Sequence, residues 1–192
     1  MKVLGISGSL RGDSYNRKLL RAAAELLPED VEFELWDGLK EVPPYDEDDD
    51  VMPAPAAVAR LRAAIAGADA VLFATPEYNS SVPGQLKNAL DWASRPLATN
   101  VLRNKPVAVI GASSSMFGAV WAQAELRKIL SATGARVVGD ELAVPQSHER
   151  FDADGRLVDD DLHERLVAIL DQLLAEVRPH IADSPPPLAA AA

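Results

Sequence analysis

Residues 2–16 read K-V-L-G-I-S-G-S-L-R-G-D-S-Y-N, a short apolar run followed by a loop of small and polar residues. An apolar run that ends in glycine and serine is typical of a buried strand that feeds a loop. Behind the loop, apolar residues recur at helical spacing until Pro28 stops the pattern, namely Leu19, Leu20, Ala23, Ala24 and Leu27. The sequence therefore predicts a strand from Lys2 to Ser7 and a helix from Tyr15 to Leu27.

The same alternation of strand and helix continues along the chain. Further strands are predicted at Val31–Trp36, Ala68–Thr75, Val107–Ala112 and Arg136–Leu142, and further helices at Ala56–Ala66, Pro83–Ser94, Phe117–Thr133 and Asp159–His180. The strand from Val31 alternates apolar and acidic residues, as an edge strand does, whereas the strands from Ala68 and Val107 are continuously apolar. This order predicts an α/β fold, a doubly wound five-stranded parallel sheet of order 2-1-3-4-5 with helices on both faces.

Length and composition limit the classes of protein. A chain of 192 residues with 48% hydrophobic content suits one domain, which we expect at 1–182, followed by a disordered Pro/Ala-rich tail at 183–192. A net charge of −10 argues against nucleic acid as a partner. The chain has no cysteine, so redox chemistry needs a cofactor.

The distribution of apolar residues predicts the location. The apolar run that ends before Ser7 is too short for the core of a signal peptide. No stretch reaches the roughly 18 apolar residues of a membrane span. We therefore expect a cytoplasmic protein without a membrane partner.

Ligands of such sheets bind beyond the carboxyl ends of the strands, where the direction of winding reverses. The loop from Gly8 to Asn16 lies there and precedes a helix, whose N-terminal N–H groups and dipole favour an anion. We expect its binding residues to be Ser9, Arg11, Ser14, Tyr15 and Asn16. The triphosphate and dinucleotide glycine motifs are missing, so a monophosphate fits better. The alternative is an ordinary turn whose serines cap a helix.

Two more loops should meet at the same edge. The first is T-P-E-Y-N-S-S-V-P-G, in which Pro76, Glu77, Tyr78 and Asn79 offer fixed backbone groups and an apolar wall to a flat ring. The second contributes Ser113, Ser114, Ser115 and Gly118, small residues that allow a cofactor close to the backbone. A proline-bounded connector and a serine-flanked helix start are the alternatives.

Together, G-S-L-R-x-x-S-x-N, T-P-E-Y-N-S-S-V-P-G-x-L-K-N-A-L-D-W and the serine-rich turn resemble the NADPH-dependent FMN reductase family. The resemblance covers residues 1–180 and implies a flavodoxin-like fold, non-covalent FMN, NADPH or NADH as co-substrate, and a homodimer or homotetramer. It implies that the first loop binds the FMN phosphate and that the other two contact the flavin ring. Lys87, Asn88 and Asp91 match as support or subunit contacts, and Ser80 stands where some members have a second tyrosine.

The resemblance implies an oxidoreductase in which FMN carries the chemistry and no side chain is a catalytic nucleophile. Electrons would pass from NAD(P)H to a small acceptor such as a quinone, azo dye, chromate or free flavin. We expect Glu77 to act through its backbone, and Arg11, Arg95 and Arg103 are candidates for a cofactor 2′-phosphate. The alternatives are a flavodoxin-type electron carrier, a non-catalytic FMN-binding regulator, and a serine hydrolase with Ser7 as nucleophile.

Overall fold

The computed structural model describes residues 1–182, with side chains to residue 177. The strands are β1 (Lys2–Ser7), β2 (Glu32–Trp36), β3 (Ala70–Thr75), β4 (Pro106–Ala112), β5 (Arg136–Val137) and β6 (Leu142–Val144), and the helices are α1 (Tyr15–Leu26), α2 (Ala56–Gly67), α3 (Gly84–Ala93), α4 (Val120–Ala132), α5 (Ser147–Arg150) and α6 (Asp160–Ala182). Among these residues, no helix combines the length and apolar character that crossing a membrane requires. The predicted tail at 183–192 lies outside the described residues, so the predicted boundary at residue 182 stays a prediction.

The strands form one sheet of order β2-β1-β3-β4-β5, and every pairing within it is parallel. Every residue of the central strands β3 and β4 is buried, because helices cover both faces. On the edge strand β2, Glu32 and Glu34 form ion pairs with Lys2 of β1. The predicted α/β class, strand order and parallel sheet are confirmed.

The fifth strand position differs from the prediction, because two short strands replace one. β5 ends at Val137 and β6 begins at Leu142, and both pair with β4. Between them Gly139 has a φ of +71°, a conformation that interrupts a strand. The guanidinium of Arg127 donates to the carbonyl oxygen of Gly139 at 2.8 Å. A glycine kink with its own hydrogen-bond donor thus divides the strand.

Helices pack on both faces of the sheet, as predicted. One core cluster holds apolar residues of α2, α3 and α4, and the other holds those of α1 and α6. Helix α4 begins at Val120 rather than at the predicted Phe117, because Gly118 and Ala119 have φ values of +59° and +65°. This left-handed pair separates the preceding loop from the helix.

The long connection at residues 37–55 is fixed to helix α3. The side chain of Asn88 donates to the carbonyl oxygen of Pro43 at 2.7 Å and accepts from the N–H of Tyr45 at 2.7 Å. The indole N–H of Trp92 donates to the same carbonyl oxygen of Pro43 at 2.9 Å. Asn88 therefore has the support role that the family resemblance implied.

We expect Gly111→Ala to destabilise the fold. A Cβ atom at residue 111 would lie 2.9 Å from the backbone oxygen of Thr75 and 2.8 Å from the side-chain nitrogen of Gln123. Overpacking of this kind costs roughly 1–3 kcal/mol of the free energy of unfolding, measured by urea denaturation. The matched control is Gly67→Ala at the end of α2, where a Cβ would meet nothing within 4 Å. Equal midpoints for both variants would contradict the prediction.

Candidate active site

A cavity lies at the carboxyl edge of the sheet, where the three predicted loops meet. Its lining residues are Ser9, Arg11, Ser14, Tyr15, Asn16, Pro76, Glu77, Tyr78, Ala112, Ser113 and Ser114. Ten of the thirteen predicted site residues thus lie together, and Ala112 is the member that sequence reasoning missed. The volume is about 190 Å³. Since ligand pockets usually measure roughly 300–1,000 Å³, a cofactor held here extends beyond the cavity.

The first loop presents the start of helix α1 to the cavity. Ser14 is the N-cap residue, and its hydroxyl oxygen accepts from the N–H of Asn16 at 3.2 Å. The hydroxyl oxygen of Ser9 accepts from the N–H of Arg11 at 3.4 Å. The exposed guanidinium of Arg11 donates to the carbonyl oxygen of Asp13 at 2.9 Å, which keeps it beside the loop. Helix N–H groups, hydroxyls and a guanidinium together form a site for an anion.

Asn16 has contacts that the sequence did not suggest. Its side-chain NH₂ donates to the carbonyl oxygen of Ala112 at 2.9 Å, and its side-chain oxygen accepts from the N–H of Ala112 at 3.0 Å. The Asn16 side chain is buried. This amide joins the first loop to the end of β4, and its expected role as a neutral donor to the phosphate stays a prediction.

The second loop contains a tight hairpin. The N–H and carbonyl groups of Tyr78 and Ser81 exchange two hydrogen bonds of 3.1 Å. Between them, Asn79 and Ser80 have φ values of +53° and +58°, the conformation of a two-residue type I′ turn. Asn79 lies exposed at the tip and does not line the cavity, so the structure does not bring this predicted residue into the site.

Glu77 connects the second loop to helix α4. Its carboxylate accepts from the N–H groups of Trp121 and Ala122, at 3.0 and 3.1 Å, in the first turn of α4. A carboxylate at a helix N-terminus satisfies N–H groups that have no partner within the helix, and the dipole favours its charge. The expectation that the backbone of Glu77, rather than its carboxyl group, serves the ligand stays a prediction.

The third loop is fixed to the segment that follows β6. The N–H of Ser113 donates to the carbonyl oxygen of Val144 at 3.1 Å. The carbonyl oxygen of Ser113 accepts from the buried Ser147, from its N–H at 3.0 Å and its hydroxyl at 2.7 Å. Ser113 and Ser114 line the cavity, whereas Ser115 does not. Sequence reasoning missed Ser147, because a serine in a short polar stretch carries no signal of a contact 34 residues away.

Gly118 lies outside the cavity lining and shapes the third loop. A Cβ atom there would lie 2.8 Å from backbone atoms of Ala143, Val144 and Pro145. The side chain of Gln123 donates to the carbonyl oxygen of Gly118 at 3.2 Å. The absence of a Cβ at Gly118 thus allows close packing of the loop on β6, and its contact with a cofactor stays a prediction.

Two further groups of predicted residues do not form part of the site. Arg95 and Arg103 line a separate cavity where α3 and α4 end, at the opposite edge of the sheet, so they cannot assist Arg11 within the same chain. Ser7 is buried, and its hydroxyl accepts from the N–H of Ser9 at 3.3 Å. A buried hydroxyl already bonded to the loop does not support the hydrolase alternative.

Comparison with known proteins identifies the family. The sequence profile of NADPH-dependent FMN reductases matches residues 1–149. The chain belongs to the NADPH-dependent FMN reductase family. It is 45% identical over 179 residues to an NAD(P)H-dependent FMN reductase of Pseudomonas aeruginosa, covering 93% of this chain and 96% of that protein. A 2-hydroxy-1,4-benzoquinone reductase of a Burkholderia species is 38% identical over 179 residues, covering 93% and 97%.

A solved structure leads to the same family. The flavoenzyme NAD(P)H:(acceptor) oxidoreductase of Paracoccus denitrificans superposes with a TM-score of 0.83 at 39% identity, covering 93% of this chain and 98% of that one. As a member of the NADPH-dependent FMN reductase family, the chain is an NAD(P)H-dependent flavin oxidoreductase whose cofactor is FMN. The electron-carrier and regulator alternatives are not favoured, because the relatives are reductases.

The donor set of the cavity suits the FMN of this reductase family. Ser9, Ser14 and Arg11 offer donors to a phosphate at the N-terminus of α1. Pro76 and Tyr78 offer an apolar wall on the other side. One cavity therefore joins an anion site to an apolar surface, as a phosphorylated ring compound requires.

We expect Asn16→Asp to lower the free energy of unfolding by roughly 1–3 kcal/mol, measured by urea denaturation. An aspartate cannot donate to the carbonyl oxygen of Ala112, so a buried acceptor loses its partner and faces a carboxylate. The control is Asn79→Asp, the same chemical change at an exposed turn, where we expect a change within about 0.5 kcal/mol. Similar losses in both variants would show that the Asn16 contact is unimportant.

Proposed function

We propose that this protein reduces a quinone or a similar small acceptor with electrons from NAD(P)H, using FMN held in the cavity of the three loops. The observation that carries the proposal is the meeting of the α1 N-terminus and an apolar wall in one cavity. The benzoquinone reductase among the relatives supports a quinone as the acceptor. FMN supplies the hydride chemistry when bound, and the protein positions it.

The first loop would hold the FMN phosphate. The hydroxyls of Ser9 and Ser14 keep a proton to donate, because each oxygen accepts a backbone N–H at its lone pair. Arg11 has four N–H groups besides the one that donates to Asp13, so its guanidinium can add charge-assisted bonds. These neutral and charged donors fit a dianionic phosphate in a protein of net charge −10.

The second and third loops would hold the flavin ring. The hairpin at Tyr78 and Ser81 fixes the backbone of the second loop, and Ser147 fixes that of the third. Fixed N–H groups can meet the acceptor edge of the ring without the entropy cost of ordering a loop. The carboxylate of Glu77 stays bonded to α4, so it neither donates a proton to the ring nor competes for its N–H partners.

We also propose a homodimer or homotetramer that works in the cytoplasm. The cavity alone is too small for the whole cofactor, and the exposed Tyr78 lines it. Phe117 and Trp121 form an exposed aromatic pair with ring centroids 4.8 Å apart, next to the exposed Met116. Exposed apolar patches mark interaction surfaces. Light scattering that gives a monomer with full activity would contradict this part of the proposal.

We expect the purified protein to bind FMN, and NADPH to bleach the visible flavin absorption until a quinone restores it. Arg11→Ala should raise the dissociation constant of FMN by about tenfold or more, the effect of losing charge-assisted hydrogen bonds. Fluorescence titration of FMN measures the constant. The control is Arg60→Ala, which removes an exposed arginine on α2 outside the cavity lining and should leave the constant unchanged.

Each other result has a definite meaning. A protein that binds FMN but is not bleached by NADPH would favour an electron carrier or a regulator. A protein that does not bind FMN even when FMN is supplied would contradict the proposed function. If Arg11→Ala and Arg60→Ala have equal dissociation constants, the phosphate does not lie at the first loop.

A further inference from the structure

The second loop, here called the ring loop and defined as residues 76–82, contains a turn in an unfavourable backbone conformation. Asn79 and Ser80 are both in the left-handed region, and neither is glycine. A serine there costs of order 1 kcal/mol and persists only where surrounding contacts over-determine the conformation. We therefore expect contacts from outside the loop to add to the two hydrogen bonds between Tyr78 and Ser81.

Glu125 of helix α4 provides such contacts at the end of the ring loop. One carboxylate oxygen accepts from the hydroxyl of Ser81 at 2.6 Å and from the N–H of Val82 at 3.1 Å. Both are charge-assisted hydrogen bonds, which are shorter and stronger than neutral ones. Ser81 is also the residue whose backbone pairs with Tyr78, so this carboxylate holds the strand that carries the cavity wall.

A second carboxylate holds the beginning of the same loop on the same helix. Glu77 accepts from the N–H groups of Trp121 and Ala122, one helical turn before Glu125. The loop supplies the carboxylate of Glu77, and the helix supplies the carboxylate of Glu125. The backbone of Tyr78 is therefore fixed between two carboxylate anchors that both end on α4.

We propose that Glu125 is a positioning residue that holds the ring loop in its FMN-binding conformation. Glu125 does not line the cavity. It acts through Ser81, which it contacts, and through Tyr78, which pairs with Ser81. The inference rests on the proposed function, because it assigns the ring loop to the flavin. Removing the carboxylate should change the affinity for FMN and the surroundings of the ring, and not only the stability of the fold.

We expect Glu125→Ala to raise the dissociation constant of FMN by about tenfold, as the loss of hydrogen bonds to a charged group implies. It should also shift the visible spectrum of bound FMN, because the ring meets a less ordered backbone. Glu125→Gln keeps a carbonyl oxygen that can accept both bonds. That variant should stay within about threefold of the wild-type constant. The control is Glu164→Ala, which removes an exposed glutamate of α6 and should leave both readouts unchanged.

Ser81→Ala provides a second test that keeps Glu125. It removes the hydroxyl donor and leaves the N–H of Val82 as a partner of the carboxylate. The dissociation constant of FMN should rise by about threefold, less than in Glu125→Ala. If Glu125→Ala does not fold, Ser81→Ala decides the question, and a wild-type constant and spectrum in that variant would overturn the proposal.

The outcomes separate this inference from the proposed function. Wild-type protein that binds no FMN contradicts the function and the inference together. Wild-type protein that binds FMN and oxidises NADPH, with Glu125→Ala unchanged in FMN affinity and spectrum, overturns the inference alone. A lower melting temperature with both readouts unchanged would show that Glu125 serves only the fold.

The pH dependence of the same contact gives a further prediction. The hydroxyl of Ser81 and the N–H of Val82 lower the pKa of Glu125 below the ordinary value of 4.5, and Lys128 and Lys87 act in the same direction. A lowered folded-state pKa adds stability above the unfolded value, and this stability is lost as the pH falls through the folded value. The difference in melting temperature between the wild type and Glu125→Gln should therefore be present at neutral pH, shrink as the pH falls below 4.5, and disappear once the pH is below the lowered folded-state pKa of Glu125. A difference that persists at low pH would contradict the contact.

Discussion

The site depends above all on the two hydrogen bonds between the Asn16 side chain and the backbone of Ala112. They join the start of α1 to the end of β4 across the end of β3, which lies between β1 and β4 in the sheet. Because the amide is buried and bonded as donor and acceptor, a shift of either loop would leave buried polar groups without partners. The distance between the anion site and the third loop is therefore set by one side chain.

Helix α4 fixes the relative positions of the second and third loops on the other side of the cavity. Its first N–H groups bind Glu77, its Glu125 binds the ring loop, and its Gln123 binds Gly118 of the third loop. Two loops that follow different strands thus share one rigid support. Elements that end at parallel strands are brought close by the sheet, but only side chains of a common helix fix their relative positions.

The sequence predicts the strands and loops that form the site better than it predicts the side-chain contacts that hold those loops in place. The apolar strand patterns and the capping Ser14 are local signals, so the strand order and the three loops could be predicted, and ten site residues lie together. The Asn16 contact joins residues 96 positions apart, and the Glu125 contact joins residues 44 apart. Neither contact produces a periodic pattern in the sequence from which it could be predicted. The split of the fifth strand at Gly139 was missed for the same reason, because the Arg127 donor comes from α4.

The charge of the cavity explains why so many of its contacts use the backbone. In a protein of net charge −10, a phosphate is held only where local donors outweigh the repulsion of the whole molecule. Arg11 contributes one positive charge to the lining, and Glu77 would cancel it if its carboxylate faced the ligand. That carboxylate instead binds N–H groups of α4, where the helix dipole compensates its charge. Anchoring the ring loop through Glu77 therefore also preserves the anion site, so that one contact serves the geometry and the electrostatics of the cavity together.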